Sequence, residues 1–363
     1  MYIGTYWGGI IEKEEDNFTI YNETNSSLRG ADGDDLRERV AGLAFDRENN
    51  LWVANHGALK PISVWKADGT WKSFSTPSNN GLRHIVVDEV GYKWAAIDGT
   101  GQGLLVFDDG GTIDVAGDDQ FRIISSTNSE LPDNNVLSIA VDLEGSVWIG
   151  TANGVAVVNC GTLAIENDCP VSKIIFEENI IDDENEYLLK GEEVNAIAID
   201  GANRKWFGTS NGVFLISEDG KEQIAFFNED NSPLFDNNVI SLGINSSDGE
   251  VFIGTNKGVL SYRSDAVKGS VLNNSNAYAF PNPVRPEYHG TIAVKGLAEN
   301  ADVKITDVSG QLIYETQALG GQAVWDGRDY NGRRASTGVY LVFSTSTNRE
   351  NPNTLVTKIL FVN

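Results

Sequence analysis

At 363 residues, with 40% apolar side chains, the chain can bury one or two real cores, and its formal charge of −25 opposes binding to nucleic acid or to an anionic membrane surface. The charge is uneven: from Ala277 onward eight basic residues balance eight acidic ones, so the other 19 basic and 44 acidic residues carry all of it. No apolar run approaches the roughly 18 residues of a membrane-spanning helix, so the sequence predicts no transmembrane segment.

The first residues, Tyr2-Ile-Gly-Thr-Tyr-Trp-Gly-Gly-Ile10, match the second half of a unit whose complete copies come later. The expectation is a chain that begins inside a repeat, its upstream part and any signal peptide lost, so the lack of a leader says nothing about compartment. From Asp46 onward the pattern Asp-x-x-Gly-x-x-Trp recurs every 40 to 60 residues or so, followed in its best copies by Gly-Thr-x-x-Gly-Val. The copies are Asp46 to Trp52, Asp88 to Trp94, Asp142 to Trp148, Asp200 to Trp206, and a degenerate fifth from Asn245 to Phe252. Alternating apolar runs precede them, such as Ile139 and Val141 or Ile197 and Ile199. Short strands and turns at this period, with almost no helical pattern, predict an all-β fold with radial repetition, a β-propeller. About 5.5 blades over residues 1–268 belong to a seven-bladed ring in this reading.

The residue types fit that geometry. Asp ends one strand and accepts backbone N–H groups of the turn, Gly takes the left-handed position, and Trp fills the wedge between neighbouring sheets. Recurrence in every copy makes Asp46, Asp88, Asp142 and Asp200 structural; the competing reading is a ring of carboxylates binding calcium or a substrate. Cys160 and Cys169, nine residues apart, suit a disulfide across a hairpin loop in an oxidising compartment, the other possibility being two free buried thiols. Neither has metal-ligand spacing. Asp32 to Asp35 and Asp182 to Glu184 could hold calcium but lack a full binding-loop pattern, so they read as exposed loops.

A polar stretch at 269–276 reads as a linker to a second domain at 277–363, where six or seven short strands separated by turn signals predict an immunoglobulin-like sandwich. Its order of Pro281-Asn-Pro283, Val303-x-Ile-x-Asp-x-x-Gly-x-Leu312, Trp325-Asp-Gly-Arg-Asp329 and Thr337-Gly-Val-Tyr340 resembles the type A C-terminal domain of the Bacteroidetes type IX secretion system. The preceding repeats resemble propellers of the two-component-regulator type. Gly201-Ala-Asn-Arg-Lys-Trp206 through Val213, Asn231-Ser-Pro-Leu234, Tyr262-Arg-Ser-Asp-Ala266 and Ala279 through Pro286 are together similar to the PorZ family, surface components of the type IX attachment complex.

That resemblance implies a non-catalytic protein at the cell surface, associated with the outer membrane, that works with the sortase PorU and with PorV and PorQ. It also implies presentation of anionic lipopolysaccharide to the sortase during cargo anchoring. The residues add one candidate glycan site: Arg328, Arg333 and Arg334, with Trp325 and Tyr330, in the one region that is not acidic, where guanidinium binds acid groups and rings stack on sugar. Against it stands a reading in which Trp325 is core and the arginines pair with Asp326 and Asp329.

The same residues bear on other classes. An enzyme needs an acid, base or nucleophile within mutual reach, and His56, His84 and His289 come with no triad, HExxH or phosphate-loop spacing. No cofactor is expected. A hybrid sensor kinase would continue into a membrane helix, whereas a sorting-type domain stands here. The main alternative is a secreted type IX cargo protein with a glycan- or protein-binding propeller and a C-terminal sorting signal.

Overall fold

The computed structural model describes residues 1–34, 36–77, 81–99, 102–175, 186–347 and 353–362. Among them, six antiparallel sheets follow one another, each a meander of consecutive strands. The first is Tyr2–Gly4, Ile10–Glu14 and Asn17–Tyr21; the second is Val40–Phe45, Leu51–Asn55, Ile62–Trp65 and Trp71–Phe74. The third is Leu82–Val87, Lys93–Ile97, Leu104–Asp108 and Gln120–Ile124; the fourth is Val136–Val141, Val147–Thr151, Gly154–Val158 and Ser172–Lys173. The fifth is Val194–Ile199, Lys205–Thr209, Gly212–Ile216 and Gln223–Phe227; the sixth is Val239–Asn245, Glu250–Thr255 and Gly258–Arg263. These are propeller blades. The three strands of the first correspond to the second, third and fourth of a complete copy.

The chain forms two compact units: residues 1–197, 207–216 and 220–241, and residues 198–206, 217–219 and 242–363. In the first unit successive sheets share apolar cores. Trp52, Ile62 and Phe74 of the second sheet meet Leu82, Ile85, Leu105 and Phe107 of the third. Trp94 and Leu104 of the third meet Ile139, Ile149 and Ala156 of the fourth, and Trp148 and Val155 meet Val194 and Phe207 of the fifth. Covered on both faces, the second strands of the second to fifth sheets are buried at every position, so they lose the apolar–polar alternation of a one-sided strand.

The recurring Asp divides its two oxygens between two tasks. Asp88 Oδ1 accepts the N–H groups of Val90, Gly91 and Tyr92 at 2.9–3.0 Å, while its Oδ2 accepts the Trp94 indole N–H at 2.8 Å. The same indole bond measures 2.8 Å from Trp52 to Asp46, 2.8 Å from Trp148 to Asp142 and 3.1 Å from Trp206 to Asp200. Burial works to raise the Asp46 carboxyl, but the bonds from Trp52 and Asn50 outweigh it and hold that carboxyl below its ordinary range. The fourth residue of the turn has positive φ in the four Trp-bearing copies, Gly91 and Gly145 in two and Asn49 and Asn203, at 63° and 58°, in the other two. Asn reaches the left-handed region at lower cost than other side chains, so the repeat survives the loss of Gly there. In the fifth copy Asn245 still caps the turn, accepting the Ser247 N–H at 3.2 Å, and the Phe252 ring has no N–H to donate. Phe252 is partly exposed, unlike the four buried Trp rings.

Cys160 and Cys169 are joined in a disulfide with Cα atoms 5.9 Å apart. The closed loop is also held from the third sheet, where the Arg122 guanidinium donates to Ala164 O and Cys169 O at 2.8 and 2.9 Å and the Tyr92 hydroxyl donates to Thr162 O at 2.8 Å.

In the second unit, a three-stranded sheet (Tyr278–Phe280, Ile292–Lys295, Gln322–Trp325) and a four-stranded one (Leu312–Gln317, Asp302–Asp307, Gly338–Thr345, Thr354–Phe361) enclose one core of Val294, Val303, Ile305, Trp325, Val342 and Phe361. This is the immunoglobulin-like sandwich. Residues 269–276 are folded against it rather than strung between domains. Asn273 is buried, its amide donating to Ser344 O and Asn353 O while its oxygen accepts from Ala298 N and Ser344 Oγ. The Asp200–Trp206 turn also belongs to this unit: Gly201 and Gly320 lie so close to the Val267 backbone that a Cβ on either would collide with it. Gln322 Nε2 adds a bond to Asp265 O at 3.0 Å.

Removing the turn carboxylate orphans one indole and several backbone donors at once. Asp88→Ala is expected to cost about 2–4 kcal/mol in urea unfolding followed by circular dichroism. In a cycle built from Asp88→Asn and Trp94→Phe, which together imitate the fifth copy, the two changes should couple by about 1 kcal/mol or more, whereas independent sites add to within about 0.5 kcal/mol.

Candidate functional site

The sequence-based glycan candidate lies on the turn after Gln322–Trp325. Trp325 is 1% exposed and rings of Tyr314, Tyr340 and Phe361 surround it at centroid distances of 5.3–6.4 Å, so it offers no face to a ligand. Its indole donates to Arg328 O at 2.7 Å. Asp329 Oδ1 accepts the N–H groups of Asn331 and Arg333 at 2.9 Å, and its Oδ2 takes the Arg333 guanidinium at 2.9–3.0 Å. The Arg333 N–H, opposed by burial and reinforced by the Arg333 side chain, holds the Asp329 carboxyl below its ordinary range. Arg328 donates to Gly332 O at 2.8 Å, and Arg334 donates to Tyr288 O at 2.8 Å and Arg285 O at 3.2 Å.

The same device braces a blade turn. Asp200 Oδ1 accepts from Ala202 and Arg204, and the Arg204 side chain, also four residues on, donates to Asp200 Oδ2 at 2.8 Å and to Asp265 at 2.7 Å. Burial disfavours the Arg204 charge, but Asp200 and Asp265 outweigh it and raise the group above its usual value. Arginine four residues after a turn Asp is therefore first a brace. What the C-terminal turn still presents outward is Tyr330, 62% exposed, with the side chains of Arg333, 75% exposed, and Arg328, about half exposed.

The three histidines stand in different local settings. His56 follows Leu51–Asn55; its Nδ1 lies 3.2 Å from Leu82 O and its Nε2 lies 3.3 Å from Asp98 Oδ2. His84 stands at a bulge in Leu82–Val87 with φ of 44°, and burial, helped by Arg83, makes it harder to protonate than usual. His289 lies far along the chain in the other unit. No spacing in the sequence signals the company His56 keeps: Asp98 also takes Arg83 Nη2 at 2.6 Å, and the Tyr6 ring is 6.3 Å from the imidazole. In the calcium candidates, Asp34 instead pairs with Arg37 and Arg39 at 3.3 and 2.8 Å, while Asp35 and the 182–184 run lie outside the described residues. Among the described residues no helix is long and apolar enough to cross a membrane.

Residues 286–350 match the FlgD Ig-like domain family, inside the sandwich. No curated protein matches the chain. Several solved structures align with both the blades and the sandwich. The chain is similar to PorZ throughout its length. PorZ, from Porphyromonas gingivalis of the human oral microbiome, is an essential bacterial surface component of the type-IX secretion system. Identity is 27% and the TM-score 0.66, with 100% of this chain and 50% of PorZ covered, so the chain spans about half of PorZ's length. Extracellular domains assigned to the hybrid two-component systems BT3049 and BT4673 of B. thetaiotaomicron align at 14% identity with TM-scores of 0.52 and 0.51. They cover 99% and 100% of this chain and 48% of each neighbour, and at that identity they bear on the fold alone. The propeller-plus-sandwich architecture read from the repeats is therefore the one this chain has, and its PorZ likeness extends across both parts.

Packing separates the members of the C-terminal turn. Trp325→Ala should destabilise the sandwich by about 3–5 kcal/mol, as large-to-small core changes do. Arg333→Ala, which removes an exposed brace, should cost at most about 1 kcal/mol. Differential denaturation of the two variants distinguishes a core ring from a ligand platform.

Proposed function

We propose that this chain is a non-catalytic surface component of a type IX secretion system and acts by binding. The observation that carries the reading is the alignment with PorZ, which runs through the blades and the sandwich at 27% identity rather than through either part alone. The Cys160–Cys169 disulfide suits the oxidising, extracytoplasmic setting such a role requires.

The finer proposal places the chain at the outer membrane with the sortase PorU and with PorV and PorQ, presenting anionic lipopolysaccharide during cargo anchoring. The sandwich supports this through its balanced charge and the outward Arg333, Arg328 and Tyr330, which suit an anionic glycan better than the acidic remainder does.

Deleting the gene in the native host tests the role. Cargo that still carries its sorting domain should accumulate in the periplasm, and surface-attached proteins should fall. Normal processing of all cargo, with this protein alone missing from the surface, would make it a passenger instead. Arg333→Ala in a complemented strain should weaken lipopolysaccharide capture by the purified protein several-fold without lowering its amount at the surface.

A further inference from the structure

Lysine is seldom buried, yet two of the four blade tryptophans are preceded by a buried one. The residue before the Trp is Leu51 in the second sheet, Lys93 in the third, Val147 in the fourth and Lys205 in the fifth. The two lysines are satisfied differently. Lys205 donates to the backbone carbonyls of Asn203 and Glu218, which are neutral partners. Lys93 instead donates to a carboxylate, Asp109 Oδ1, at 2.7 Å, and the two side chains are only 3% and 9% exposed. Trp52 and Phe107 flank the ammonium, with ring centroids 4.0 and 5.6 Å from Nζ.

Register brings a third group to this pair. Lys93 lies opposite Phe107 and Phe107 opposite Phe121, so the three share one face of the third sheet. Alternation puts residues 109 and 119, two positions beyond Phe107 and Phe121, on that same face. Asp108 pairs with Gln120, so Asp109 and Asp119 stand opposite each other just past the end of the ladder. The Asp119 Oδ1 atom is buried and has no hydrogen-bond partner among the described residues. Burial first, then the charges of Asp118 and Asp109, raise the Asp119 carboxyl above its ordinary range, against the opposing influence of Lys72 and Lys93. A buried lysine, a carboxylate touching it and a second carboxyl biased toward its protonated form are the groups an amide-forming site needs.

We propose that Lys93 and Asp109 join in an intramolecular isopeptide bond between Nζ and Cγ, with Asp119 carrying the protons. The 2.7 Å contact holds the nitrogen about 3.5 Å from Cγ, a near-attack separation that the fold itself maintains. The Lys93 ammonium passes one proton to the Asp109 carboxylate, and the resulting amine attacks Cγ. As the Nζ–Cγ bond forms, Asp119 gives its proton to the departing hydroxyl and the Cγ–O bond breaks. Asp119 then regains a proton from the nitrogen. One water leaves, two opposite charges become one neutral amide, and no oxidant or cofactor is consumed. A cavity lined by Asp46, Arg47, Lys93, Asp109 and Gly111 adjoins the pair and gives the water a way out. The bond ties strand Lys93–Ile97 to the residue just after strand Leu104–Asp108, and it removes the cost of keeping an ion pair out of water. The inference does not depend on a role in secretion.

Intact-mass spectrometry of the purified full chain, after reduction of its disulfide, tests the bond directly. The parent should weigh one water less than its sequence, and a tryptic digest should contain a branched peptide joining the Lys93 and Asp109 segments, uncut after Lys93. The double variant Lys93→Met, Asp109→Leu, which leaves neither charge orphaned, should have its full mass. Asp119→Asn keeps the shape of the side chain and should fold, as circular dichroism checks, but form the bond about a hundred-fold more slowly, so that fresh protein keeps its full mass. A parent of full mass overturns the proposal whatever the variants do. So does a missing water that maps to a linear peptide, as an imide at Asp109-Gly110 would, with trypsin still cutting after Lys93. Cross-linking of Asp119→Asn at the parent's rate would overturn the part given to Asp119.

Discussion

One carboxylate with two separately occupied oxygens organises each complete blade. An Asp side chain that only capped its turn would fix a hairpin, and a buried Trp that only filled space would leave an indole N–H without a partner. Joined, they fasten the turn between the first two strands to the ring that packs between sheets, so local geometry and inter-blade packing become one interaction. Its net worth is of the order of a charge-assisted hydrogen bond, about 1.5–3 kcal/mol, but breaking it leaves several donors unmet. The joint change to Asn245 and Phe252 in the last copy follows from this: once the ring donates nothing, a single acceptor oxygen is enough.

Much of this was legible because it is local. Seven residues carry the turn, the left-handed position and the ring, and their spacing pointed to the blades, while separate turn signals after residue 277 pointed to the sandwich. The indole bond was not legible, since it depends on register: Trp52 lies opposite Ala44 and Trp94 opposite Val86, which brings each ring back over the Asp at the hairpin end. The segment 269–276 is polar and reads as a linker, yet Asn273 makes it part of the sandwich through partners more than 70 residues away in sequence. Composition cannot reveal a buried amide whose every bond is supplied by remote backbone and hydroxyl groups.

The arginines show the same limit from the other side. A cluster of basic residues beside aromatic ones invites a ligand reading, but Arg333 answers Asp329 as Arg204 answers Asp200, and Trp325 is as buried as the blade tryptophans. A turn-bracing motif therefore imitates a binding motif in sequence. Burial and bonding separate them, because a ligand group must keep donors and ring faces free after the fold has taken its share.

Repetition supplies a sharper criterion than residue type. Where copies agree, the shared residues answer a shared structural demand, and Asp, Thr and the glycines of the blade turns all have such a demand met at measured distances. Where one copy keeps the structural bond but changes the side chains around it, as Thr5 does with its bond to Gly9 O beside Tyr6 and Trp7, the added rings take contacts of their own with Arg39 and Arg37. Exposing a large ring costs solubility, and holding an arginine against it costs side-chain entropy. The guanidinium–ring attraction offsets part of these costs, while the tighter turns of the fourth and fifth sheets make the same Thr bond without either. Comparison of the copies thus separates what every blade needs from what one blade adds.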